Sequence, residues 1–286
     1  MKRTTLALAL GLSIVTPAMA QTIITTPRST DGRGDVFLRE YRAGGLIYNN
    51  FRYAKGVKDL VFNPHAPNAY RVVAGPNTSI GNKRTVLGDS QLRGDEVNQS
   101  TWLNRAGDVF KNSNLNHFVD LAGNSHPFAL TIDYSNNPLM DGLLFFERGT
   151  GGSNSPVVLS AVDAQGRKIG KDFLVDPAQM IRNVNEAATY SQGESLHFSG
   201  SQTQSAKFLD IKRDFGVNSM AYLRITQPQL GVTYGNGLRF NGLLHGQDFQ
   251  PDFKVIGTGQ PVPEPATMTV LAMGALAAMR RRKKAA

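Results

Sequence analysis

Asp133, Asp141, Glu147 and Asp163 lie on or beside stretches that read as β-strands. A glycosidase needs two such carboxyl groups ~5–9.5 Å apart, one to give a proton and one to attack or to activate water. Glu147 is the most interesting of them, because it ends the apolar run Gly142-Leu143-Leu144-Phe145-Phe146. Successive strand residues face opposite ways, so its neighbour Arg148 points to the other face. A rim or capping carboxylate is the ordinary outcome for Glu in such a place, and no residue is assigned as catalytic.

Other constellations are weaker. His65, His117, His126, His197 and His245 form neither His-x-His nor H-E-x-x-H, the spacings that put two imidazoles on one metal. Gly149-Thr150-Gly151-Gly152-Ser153 lacks the G-x-S-x-G elbow, and the glycine-containing stretch at 75–81 lacks the Gly-Lys-Ser/Thr order of a phosphate loop. The chain has no cysteine, hence no thiolate nucleophile, Cys-zinc site or disulfide. No cofactor is expected. Ca²⁺ is the one ion considered, with oxygens from Asp31, Asp35, Asp89, Asp95 and Glu96, but no loop follows the D-x-D-x-D-G pattern. Arg33-Gly34-Asp35 and Arg93-Gly94-Asp95 read as turns. Tyr48, Phe51 and Tyr53, with Tyr41, Asn49, Asn50 and Arg52 nearby, form a candidate sugar-stacking face, although such a group is more often core with one exposed edge.

The clearest chemistry is done on this chain by other enzymes, at its ends. Lys2 and Arg3 precede an apolar run at 6–15, and Ala18-Met19-Ala20 supplies the small-x-small site that signal peptidase requires. Cleavage after Ala20 leaves Gln21 as the mature N-terminus. At the other end Pro263-Glu264-Pro265 is followed by 14 uncharged residues, 266–279, and then by Arg280, Arg281, Arg282, Lys283 and Lys284. An apolar helix backed by cations stops transfer and keeps its basic end in the cytoplasm. As a helix it reaches only ~21 Å against a hydrocarbon core of ~30 Å, a marginal anchor suited to brief tethering at the inner membrane.

This tail resembles the PEP-CTERM sorting signal of bacteria, in motif, short helix and terminal basic cluster together. The resemblance implies recognition by an exosortase, an integral-membrane cysteine protease-like enzyme, which would cut near Pro-Glu-Pro and pass the domain to the cell surface or the exopolysaccharide matrix. It covers roughly the last 25 residues. The segment 141–170 resembles the β-sandwich ectodomains often carried by such proteins, and names no ligand.

The formal charge of +9 belongs largely to the ends. Lys2, Arg3 and the five tail cations leave 24 of 31 bases, and Glu264 leaves 21 of 22 acids, so the stretch between carries about +3. Its charges are interspersed, which argues against a nucleic-acid partner.

Three parts follow: a signal peptide at 1–20, an ectodomain at 21–259 with a candidate seam at 123–127, and a sorting tail at 260–286 whose single transmembrane helix is 266–279. Residues 258–263 read as a proline-rich linker, extended and off the sheet, open to a protease. Within the ectodomain, strands are expected at 57–62, 70–74, 84–87, 128–134, 142–148, 156–162, 168–175, 206–211, 220–225, 237–244 and 253–256, with a hairpin turn at 163–167 and short helices at 96–103 and 177–184. Short strands with Gly/Asn/Pro punctuation give a mainly β, sandwich- or jelly-roll-like fold. The functional expectation is an exported surface or matrix protein of structural or interaction type. The alternatives are an extracellular carbohydrate-binding module that holds exopolysaccharide, and a secreted hydrolase with a dispersed site.

Overall fold

The computed structural model describes residues 21–26, 37–61, 71–72, 107–115, 119–122, 129–137, 139–148, 156–176, 188–192, 202–241, 252–265 and 273–274. Its strands are β1 (Thr22–Thr25), β2 (Leu38–Ala43), β3 (Leu46–Tyr48), β4 (Phe51–Arg52), β5 (Gly56–Val61), β6 (Arg71–Val72), β7 (Val119–Ala122) and β8 (Ala129–Asp133). They continue with β9 (Gly142–Arg148), β10 (Val157–Val162), β11 (Lys168–Val175), β12 (Ala188–Gln192), β13 (Gln202–Asp210), β14 (Tyr222–Thr226), β15 (Asp252–Thr258) and β16 (Val262–Pro263).

These strands form three sheets: β1-β2-β3-β16, β11-β10-β14-β8-β5, and a seven-stranded sheet ordered β12-β13-β9-β15-β7-β6 with β4 also on β15. The seven-stranded sheet is the middle layer. Leu143 and Phe145 of β9, with Phe253 and Val255 of β15, pack on Leu130, Ile132, Leu159, Leu223 and Ile225 of the five-stranded sheet. Their neighbours Leu144, Phe146 and Ile256 face the other way and pack on Leu38, Tyr41 and Tyr48 of the four-stranded sheet. Alternation of side chains along a strand thus feeds two cores from one sheet. This is why the run at 143–146 is apolar without interruption, as expected of a strand covered on both faces. The expected sandwich gains a third layer.

A smaller cluster lies on the outer face of the five-stranded sheet, where Tyr234 and Phe240 cover Val158 and Leu174. Over its described part, 237–241, the strand expected at 237–244 is not formed. Gly237 has φ of 78°, and the segment folds back on itself, with Tyr234 N donating to Leu238 O at 2.8 Å and Phe240 N to Val232 O at 3.0 Å. Residues 242–244 lie outside the described residues, as do the expected strand at 84–87, both expected helices and the whole candidate seam at 123–127. Strands from either side of that seam share sheets: β5 pairs with β8, and β7 with β15.

The hairpin turn at 163–167 is present between β10 and β11. The expected strand at 206–211 ends instead at Asp210, where one π-helical turn, Ile211–Phe215, begins. Asp210 caps that turn by accepting from Arg213 N, and Gly216 closes it in the left-handed region.

Candidate functional site

The C-terminal tail leaves the middle sheet in company with a partner strand. At the end of β15, Gly257 opposes Arg52 and Thr258 opposes Phe51. Gly259 N then donates to Asn50 O at 2.7 Å. Three residues later Val262 opposes Ile47 and Pro263 opposes Leu46, and Glu264 N donates to Gly45 O at 2.9 Å. At each of these contacts the partner number falls by one for every residue the tail advances, so the antiparallel register of the two chains is the same from Gly257 to Glu264. The ribbon starts in the middle sheet and ends as the outer edge of the four-stranded sheet.

Local sequence builds the receiving edge. Gly44 and Gly45, with φ of 59° and 76°, make the two-residue turn between β2 and β3. Positive φ at both positions is what a tight hairpin demands and glycine gives without steric cost. The turn presents the Gly45 carbonyl to Glu264. Further back, Gln260 Nε2 donates to Asp141 Oδ1 at 2.7 Å, and Asp141 N donates to Thr258 O at 2.9 Å. Partial burial, then the nearby Asp210 carboxylate, raises the Asp141 pKa above its ordinary value; Arg52 and the Gln260 hydrogen bond oppose this.

The expected off-sheet linker is therefore corrected, since Val262 and Pro263 form a strand. Proline belongs in a sheet only where its missing N–H faces no partner. Along a strand, a residue's N–H and C=O point to one edge and those of the next residue to the other. Glu264 turns its N–H to β3, and Val262 turns the same way. Pro263, the proline within β16, presents that outward edge with a carbonyl and no donor, and Pro261 and Pro265, which flank the strand, add no N–H of their own. The motif is a strand able to pair on one side only. It is also at the surface: Val262 is 47% exposed, Pro263 and Pro265 are exposed, and Glu264 is partly so.

The remaining candidates are dispersed. Glu147 is 1% exposed, on the first-core side of β9 opposite Phe253, so it is no rim carboxylate. Asp133 Oδ1 accepts from Ser135 N at 2.9 Å. Asp163 ties the β10–β11 turn, accepting from Gln165 N at 3.0 Å, Arg167 N at 2.9 Å and Arg167 Nε at 2.8 Å. The hydrogen bond from the Arg167 amide leads the causes that hold its pKa below the usual carboxylate value. Each of these three acids thus has its own place in the fold. Tyr48, Phe51 and Tyr53 do come together, but in the second core. Tyr48 is 6% exposed, its ring 4.4 Å from that of Phe208, and burial pushes its hydroxyl pKa up. A sugar platform needs ring faces in water, and Tyr48 offers none.

All five histidines lie outside the described residues, as do Asp31, Asp35, Asp89, Asp95, Glu96, Ala18, Ala20 and Arg280, Arg281, Arg282, Lys283 and Lys284. Of the segment 266–279 only Met273 and Gly274 are described, both helical and exposed. Among the described residues no helix is long and apolar enough to cross a membrane. Sequence reasoning did not single out Asp210 or the role of Gln260, and it named Asn50 only beside the aromatic face. The one available signal for the docking edge was Gly44-Gly45 between apolar residues, a hairpin signature.

No curated protein matches the chain. Residues 261–283 match the PEP-CTERM protein-sorting motif, beginning at the proline just before the docked strand, so this chain carries a PEP-CTERM sorting signal on its C-terminal tail.

Proposed function

We propose that this chain is an exported surface or matrix protein of structural or interaction type rather than an enzyme, processed at both ends and sorted by an exosortase through 261–283. The observation that carries the reading is the sorting-motif match at 261–283. A signal peptide removed by signal peptidase after Ala20 would start the mature chain at Gln21. That start agrees with the fold, because the Tyr41 hydroxyl, in the second core, donates to Gln21 Oε1 and β1 follows at Thr22. Behind the motif, 266–279 would serve as the temporary membrane tether, with Arg280, Arg281, Arg282, Lys283 and Lys284 held in the cytoplasm.

The test is the intact mass of the protein recovered from the producing cell. A mass beginning at Gln21 and ending near Pro263 or Pro265 is expected. A mass that retains 280–286 leaves a plain membrane anchor and overturns sorting by cleavage.

A further inference from the structure

We propose that docking of the sorting motif on β3 is a built-in gate: the processing enzyme acts on the fraction of molecules in which 259–265 has peeled away from the domain. This rests on the reading of 261–283 as a processed sorting signal and adds its control.

Two independent features support the gate. The first is edge chemistry. An enzyme that takes an extended peptide binds it as an added strand, through main-chain hydrogen bonds along its edges. In the docked motif, the inner edge is occupied, with Glu264 N on Gly45 O and Val262 opposite Ile47. The outer edge of β16 has no N–H, because Pro263 has none, and Pro261 and Pro265 on either side bring none either. A binding cleft can find both N–H groups and carbonyls on this strand only after it leaves β3.

The second feature is reach. With the motif docked, the folded domain holds the chain as far as Glu264, and the uncharged segment begins at Ala266. There is then almost no spacer between domain and bilayer. Release of residues 259–265 supplies seven residues that extend to about 23–25 Å. That is enough for an enzyme within the membrane to receive the motif without the three-layered domain against it.

The rate of processing should therefore follow the released fraction. The chain has no cysteine, so a pair introduced as Ile47→Cys with Val262→Cys is the only possible disulfide. Directly opposed residues on antiparallel strands have Cα atoms ~4.5–5.5 Å apart, within the ~4.4–6.8 Å span of a disulfide, and neither position lies in Pro263-Glu264-Pro265. The full-length double variant, oxidised beforehand, is added to exosortase-containing membrane vesicles with and without reductant. The cysteine-free parent is run under both conditions, and cleavage is followed by mass. The locked form is expected to be cut at least ~10-fold more slowly than the parent, with reduction restoring the parent's rate. Gln260→Ala, which removes the bond to Asp141, is expected to speed cleavage about 2–10-fold, the worth of one hydrogen bond. Equal cleavage of the oxidised and reduced forms overturns the gate alone. A parent left uncut under both conditions overturns the sorting reading and the gate with it.

Discussion

At the scale of single residues, the most consequential side chain in the fold is one that the sequence hides. Lys254 is fully buried, on the Phe146 side of β15. Its Nζ donates to Val109 O and, at 3.3 Å, to Asn112 Oδ1, so it ties the short segment at 107–112 to the middle sheet. Burial alone holds its pKa well below the ordinary lysine value. The unfolded chain then binds a proton that the folded chain releases, and stability rises with pH from the depressed folded value up to about 10.5. Urea unfolding of the parent at stepped pH should show that rise, while Lys254→Met should flatten it across the same window; a parent curve already flat there would place a charged ammonium in the core. Gly257 is constrained by space. A Cβ there would lie 2.3 Å from Met140 Sδ and 2.8 Å from Arg52 O. Gly257→Ala should cost about 1–3 kcal/mol through overpacking, read as a lower urea midpoint. Neither residue could be picked out beforehand. Lys254 sits in Phe-Lys-Val-Ile, where alternation suggests a solvent-facing lysine, and only the segment at 107–112 that receives its ammonium reverses the inference.

Elements were legible in proportion to how much apolar surface each buries. β9 and β15 stand out because both of their faces are covered, and β10 with β11 because the Asp163–Arg167 turn punctuates them. β2 is harder to see: in Leu38-Arg39-Glu40-Tyr41-Arg42-Ala43 only Leu38 and Tyr41 are buried, a spacing that matches no clean two-residue period. β1, β3 and β4 are too short for periodicity to register, and without them the third layer was invisible. β16 was misread for a chemical reason. Proline usually breaks sheets, but Pro263 turns its donor-free side outward while Val262 and Glu264 on either side turn toward β3, which makes a strand fit only for an outer position. This makes a sharp expectation for hydrogen exchange, since Val262 and Glu264 carry the only main-chain amides between Pro261 and Pro265. In the full-length protein both should exchange at least ~10-fold more slowly than in a peptide of the same sequence. Exchange at the peptide rate would mean that β16 is not docked in solution.

For the molecule as a whole, the three layers divide stability unevenly. The hydrophobic cores lie between the sheets, whereas the tail adds only an edge held by a few backbone bonds and by Gln260 on Asp141. A chain ending at 265 should therefore melt as the folded domain with its edge covered, and a chain ending at 259 should remain folded but less stable. The lost pairing with β3 and the Gln260 bond together amount to about 1–3 kcal/mol at an exposed site, or about 2–12 °C in Tm for a domain of this size. The shorter chain also uncovers the Gly45–Tyr48 side of the four-stranded sheet, where Ile47 and Gly45 lose their partners. An open strand edge recruits another strand, so the chain ending at 259 should show a larger dimer fraction in size-exclusion chromatography than the chain ending at 265, increasing with concentration. Equal Tm and equal dimer fractions would mean that β16 contributes nothing to the folded domain. If the two chains differ as expected, the position of the cut matters to the product. Cleavage beyond Pro265 leaves a strand that can return to β3 and shield it with a donor-free edge, and cleavage before Val262 leaves the domain with an adhesive one.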